Sequence, residues 1–223
     1  MKHQKIYILV ATIIAITILY ICDQGLELPY VMKIGVKLIL FFSLPMFYII
    51  QTKKNIVLES IRNRDKLFKL KLSHILSLFI IVILIATYLI VKPTINLAIF
   101  QVEFEQKYKI HRDNILLYGI YFSFFNSLLE EFFFRGFMFL GLKKLNMHKS
   151  AYILSSLAFS LYHIGNIQNW FNIGIFLLAL LGLFVGGLIF AYLDDKQNTF
   201  FNSWFVHVCA DLAIVWIGYD MLS

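Results

Sequence analysis

Residues 74–91 run for 18 positions without a single Asp, Glu, Lys or Arg. A helix of about 20 mainly apolar residues is what a bilayer core of about 30 Å demands. Six more apolar stretches share the chain, at residues 6–22, 34–50, 114–142, 151–164, 173–193 and 200–219. In lipid a backbone must satisfy its own polar groups, so such stretches become helices. The expected fold class is all-α: a polytopic transmembrane helix bundle around a polar intramembrane cavity. It has seven membrane helices, or eight if the long fourth stretch divides. Pro45 is expected to kink the second helix.

Nothing between these stretches is long enough for a separate soluble domain. Residues 1–223 are therefore expected to form one membrane domain, with residues 114–219 as its functional core. Stretch 6–22 follows Lys2 and Lys5 and mimics a signal peptide. No small-x-small cleavage site follows it, so it counts as a first membrane helix. Cys22 and Cys209 are the only cysteines, which excludes a disulfide framework and a CxxC metal site. The spacing of Gly182 and Gly186, extended by Gly187, suggests close helix packing.

The net charge of +7 would raise the question of nucleic acid in a soluble protein. Here the basic residues sit in short loops, where they set orientation and meet anionic headgroups. With the N-terminus in the cytoplasm, inside loops carry thirteen Lys and Arg and outside loops six, Lys33 and Lys37 among the six. That excess obeys the positive-inside rule and puts the C-terminus outside. The expected location is a membrane, the bacterial cytoplasmic membrane, with lipids as partners and no nucleic acid. The basic stretch 52–72 reads equally as a surface-lying amphipathic segment or as a solvated linker.

Ionisable groups at membrane depth are costly and mark function by default. Glu130, Glu131, Arg135, His163, His207 and Asp211 all fall inside apolar stretches. At about 1.5 Å per residue, Glu130, His163 and His207 lie roughly 12–20 Å from the cytoplasmic ends of three different helices. Glu131 and Arg135 are four apart, in the favourable order for an ion pair. Taken alone, that pair could be structural, His163 could be a core histidine, and His207 with Asp211 a helix contact. Ser203, His207 and Asp211 form a stripe at four-residue spacing, and Phe159 shares a face with His163, near Ser156 and Ser160. Glu130, His163, His207 and Asp211 would together line one cavity.

Such a set suits hydrolysis. A carboxylate can act as general base on water, and imidazoles can stabilise an oxyanion. Two His and one Glu are also the ligand types of a catalytic zinc site. The HExxH signature is absent.

The run Glu130-Glu131-Phe132-Phe133-Phe134-Arg135 matches an EExxxR motif. Phe159 to His163 matches FxxxH, and His207 to Asp211 matches HxxxN/D. In order and spacing these resemble the motifs of the CAAX protease and bacteriocin-processing family (CPBP, or Abi). They span the C-terminal half, while the first half shows only membrane helices.

The resemblance implies an intramembrane endopeptidase of the CAAX prenyl protease type, acting on a peptide or protein, lipidated or not. It implies Glu130, with His163, as activator of water, and His207 with Asp211 as the oxyanion pair. Glu131, Arg135 and Phe159 would support them. Asp211 stands where the eukaryotic enzymes carry Asn, and an ionised Asp cannot donate a hydrogen bond. The family's chemistry is described both as metal-dependent, with zinc or another divalent ion, and as a metal-free glutamate mechanism. The metal ligands would be Glu130, His163 and His207. A non-proteolytic immunity or scaffold protein on the same fold is the alternative. A transporter is a third reading, disfavoured because the first three stretches carry almost no buried charge and no repeat is visible.

Overall fold

The computed structural model describes residues 2–26, 28–53, 59–61, 71–107, 109–169 and 172–222. Among them the secondary structure is helical throughout. Helix α1 (Lys2–Tyr20) runs on into a π turn at Ile21–Gly25, and α2 is Tyr30–Thr52. Helix α3 is Lys71–Val91, and α4 is the short Leu97–Val102. Helix α5 is a composite rod from Ile115–Ile120 to Leu140–Lys144, with π segments at Tyr121–Asn126 and Phe132–Phe139 around an α turn at Ser127–Glu131. Helix α6 is His148–Tyr162, α7 the single turn Ile164–Ile167, α8 Ile173–Gln197 and α9 Phe201–Met221. The amphipathic reading of stretch 52–72 falls largely on residues 54–58 and 62–70, outside the described residues.

Among the described residues, five helical stretches are long and apolar enough to cross a bilayer: Lys2–Gly25, Val31–Thr52, Lys71–Thr94, Ile173–Gln197 and Phe201–Met221. The protein is an integral membrane protein. Helices α5 and α6 do not pass the same test. The first carries Glu130, Glu131 and Arg135, and the second has 15 residues, about 22 Å at 1.5 Å per residue. Their polar side chains Glu130, Glu131, Arg135, Ser155 and Ser156 are buried against neighbouring helices, while Leu117 of α5 and Ile153 of α6 stay exposed.

Aromatic rings build that interior. Phe41 on α2 stacks on Phe133 of α5 at 4.1 Å and meets Phe134 edge-on at 5.6 Å. Both geometries suit the quadrupole of the ring. Phe41, Phe133, Phe134, Phe137 and Phe139 are almost wholly buried. The stacked pair fixes α2 against the middle of α5.

Close approach of α8 to α6 comes from Gly187, where a Cβ would lie 2.9 Å from Ser156 Cα. At Gly182 and Gly186 a Cβ would meet nothing within 4 Å. The GxxxG reading is thus corrected: the packing glycine is the next one along, about 100° round the helix from Gly186. Pro45 lies inside an unbroken α2.

Candidate active site

Glu130 and Glu131 project from the α turn between the two π segments of α5, and both are buried. The two oxygens of Glu130 have different surroundings. Oε1 accepts from Lys37 Nζ at 2.6 Å, Asn126 Nδ2 at 2.9 Å and the Tyr162 hydroxyl at 3.2 Å. Oε2 is buried and accepts no hydrogen bond from any described residue. It faces His163 Nε2 at 3.7 Å and His207 Nε2 at 3.9 Å.

His163 sits just past the end of α6, at φ −81° and ψ −8°. Its backbone N–H turns to Ser160 O at 3.1 Å, as in a tightened last turn. The Phe159 carbonyl is filled instead by the ring, which donates from Nδ1 at 2.8 Å. A carbonyl only accepts, so Nδ1 carries a proton, and in the neutral ring Nε2 presents its lone pair to Glu130.

His207 donates from Nδ1 to Glu131 Oε1 at 2.8 Å, and its Nε2 lies 3.6 Å from Asp211 Oδ1. Glu131 Oε1 is also 3.2 Å from Arg135. The guanidinium carbon of Arg135 is 4.1 Å from the Phe159 ring centroid and 5.1 Å from that of Phe190, a cation–π arrangement with each ring. Phe190 also lies 5.3 Å from His207, and Phe159 5.6 Å. The sequence-derived residues Glu130, Glu131, Arg135, Phe159, His163, His207 and Asp211 therefore come together in one group, all buried but the partly exposed His163.

Ser156, Ser160 and Ser203 do not join it. Ser160 donates to Leu180 O on α8 at 2.8 Å, Ser156 packs on Gly187, and Ser203 donates to Phe200 O at 2.8 Å. They serve helix packing.

Sequence reasoning missed three contributors. Lys37 is 7% exposed and bonded to Glu130, not in an outside loop. Leaving Lys37 out, the outside loops hold five basic residues, so the inside excess grows. Asp23, after α1, is also buried, with Lys33 and Gln24 bound to it. The second stretch thus does carry a buried charge, Lys37, contrary to the expectation. Asp194 on α8 is fully buried and accepts from the Ser203 N–H at 3.2 Å. One signal pointed to Lys37: three buried carboxylates, Glu130, Glu131 and Asp211, had only Arg135 as a counter-ion.

One contact counts against a metal ion at Glu130. Oε1 of Glu130 already holds the Lys37 ammonium, whose charge opposes a divalent cation on the same carboxylate. Among the described residues, no three His, Cys, Asp or Glu side chains are grouped so as to hold a metal.

Fold and site together define a membrane-embedded helical protein with a buried carboxylate–imidazole centre. The region of residues 112–213 matches the family model described as Type II CAAX prenyl endopeptidase Rce1-like. It contains every motif residue from Glu130 to Asp211 and excludes Lys37. Comparisons with curated proteins and with solved structures give no match.

Proposed function

We propose that this chain is an intramembrane endopeptidase that uses Glu130 as general base on water, without a metal. The observation that carries the reading is the asymmetry of Glu130: one oxygen saturated by donors, the other turned to two imidazoles. Water bound at Oε2 gives it a proton and attacks the scissile carbonyl carbon. The lone pair of His163 Nε2 orients that water by accepting its second hydrogen. A doubly protonated His207 donates from Nε2 to the oxyanion, its charge balanced by Glu131 on one side and Asp211 on the other. Asp211 thereby acts through the imidazole and needs no proton of its own. Glu130 then passes its proton to the leaving amide nitrogen, and the C–N bond breaks. The substrate is a peptide or protein segment reaching the bundle interior, and a lipidated segment suits a site inside the membrane.

The charge bias favours a cytoplasmic N-terminus and seven crossings, with α5 and α6 as the two polar ones, in a bacterial cytoplasmic membrane. A reporter fused after Ser73 should read as cytoplasmic; an external signal there reverses the orientation.

The test of function is cleavage of peptide substrates by the purified chain in detergent. Activity should survive a chelator. Glu130→Ala and His163→Ala should each lose activity by about 10²-fold or more, with the folded protein retained. Near-normal cleavage by either variant removes that residue from the mechanism. Inactivation by chelator, reversed by a divalent metal, refutes the metal-free route. Absence of any cleavage by the wild type favours the immunity or scaffold alternative.

A further inference from the structure

Glu130 is a symmetric group. Its terminal torsion is broad and roughly two-fold, so nothing intrinsic tells one oxygen from the other. A general base needs that difference, because only an oxygen free of donors and aimed at the water can take its proton. In this bundle three donors supply the difference, and one of them, Lys37, comes from α2, which lies outside the matched region of residues 112–213. We propose that Lys37 is a positioning residue for the hydrolysis, holding Oε1 of Glu130 so that Oε2 is the base. The inference rests on the functional reading above and deepens it.

The contacts form a closed clamp. Lys37 donates to Glu130 Oε1 and to Asn126 Oδ1. Asn126 returns the bond through Nδ2 to the same Oε1. Tyr162, the residue before His163, donates its hydroxyl to Oε1 as well. The clamp therefore ties α2, α5 and the end of α6 to a single oxygen. The Lys37 ammonium also lies 5.0 Å from the Tyr162 ring and 5.5 Å from the Phe41 ring. Phe41 stands four residues after Lys37, one turn along α2, and its stack on Phe133 sets the depth at which the ammonium arrives. A lysine serving only orientation in the membrane would point to the headgroups. This one points inward and is almost wholly buried.

The experiment uses the full chain in detergent with a peptide that the wild type cleaves, and Glu130→Gln is assayed beside it. Lys37→Met should lower kcat and kcat/KM together by about a hundredfold, with KM little changed. Lys37→Arg should recover a large part of that loss. Tyr162→Phe keeps the ring, removes one donor, and should cost about tenfold in kcat. A purely structural lysine would instead lower the amount of folded enzyme and leave kcat per folded molecule unchanged. Should Lys37→Met fail to fold, Lys37→Arg and Tyr162→Phe carry the test. Unchanged kcat in Lys37→Met, or in Tyr162→Phe where the first cannot be made, overturns the clamp. If Glu130→Gln still cleaves, the functional reading itself fails and the clamp with it. If Glu130→Gln is dead while Lys37→Met is normal, only the clamp fails.

Discussion

Two groups of charges in this bundle obey different rules. The inner group joins Lys37, Glu130, Glu131, Arg135, His207 and Asp211 across α2, α5 and α9. The outer group joins Lys143 and Lys144 at the end of α5 to Asp195 at the end of α8 and to Glu59. Glu131 and Arg135 are wholly buried, whereas Lys143 and Asp195 keep about a fifth of their side-chain surface in contact with solvent. In the outer group water shares the work of solvation, and a lost partner is replaced. In the inner group each charge depends on its neighbours, and a lost partner leaves a charge stranded. Stability should therefore respond steeply to the first group and weakly to the second.

The sharpest break of that comparison on stability is at Arg135. Arg135→Met should destabilise by about 3–5 kcal/mol, because the buried Glu131 carboxylate then loses its arginine and keeps only His207 as a partner. Activity should fall with it, since Glu131 also accepts from His207. Glu131→Gln combined with Arg135→Met should restore part of the stability, as both charges leave together. A charge swap is a poorer choice here, because it places an arginine against His207. The measurement is a double-mutant cycle on thermal unfolding in detergent. A coupling energy of zero would show that the 3.2 Å approach of the two side chains contributes nothing, and Arg135 would then be held by Phe159 and Phe190 alone.

The same contrast explains what could be read from the sequence. Glu130, Glu131, Arg135, His163, His207 and Asp211 stand out because apolar residues surround them in the chain and no solvated explanation fits all six. Lys37 was hidden by its position near the start of an apolar stretch, where a lysine ordinarily reaches back to the headgroups. Asp194 was hidden by Asp195 and Lys196, which make the end of α8 look solvated. Its burial follows from a tertiary contact, the Ser203 N–H at the start of α9. Phe190 looked like one more apolar residue of its helix. The π segments of α5 left no trace either, since their apolar and aromatic residues suit an α-helix equally well. Helical spacing identified Gly182 and Gly186, but spacing alone does not say which face meets protein and which meets lipid. The all-helical membrane fold was legible from length and hydropathy. Which helices cross unaided was not, because Glu130, Glu131 and Arg135 lower the hydropathy of α5 and packing permits α6 to be short.

The smallest effect is expected at Lys143. Its ammonium lies 2.6 Å from Asp195 Oδ1, and it donates to the Asp195 carbonyl at 3.1 Å and to Asn198 Oδ1 at 2.8 Å. These groups form the C-terminal end of α8, which closes on Asn198 in the left-handed conformation at φ 53°. A cation there meets unsatisfied carbonyls and the negative end of the helix dipole, worth about 0.3–1 kcal/mol. A partly exposed ion pair adds about 0–1 kcal/mol. Lys143→Ala leaves His148, whose Nε2 is 3.1 Å from the same Asp195 oxygen, as a substitute donor. The expected loss is therefore about 1 kcal/mol or less. It should shrink further in 1 M salt, where the screening length falls to about 3 Å, while the cost of Arg135→Met stays as it was. Thermal unfolding of both variants at low and high salt makes the comparison. A salt-insensitive loss at Lys143 as large as that at Arg135 would mean that the helix ends are as poorly solvated as the centre, and the division into two groups would have to be given up.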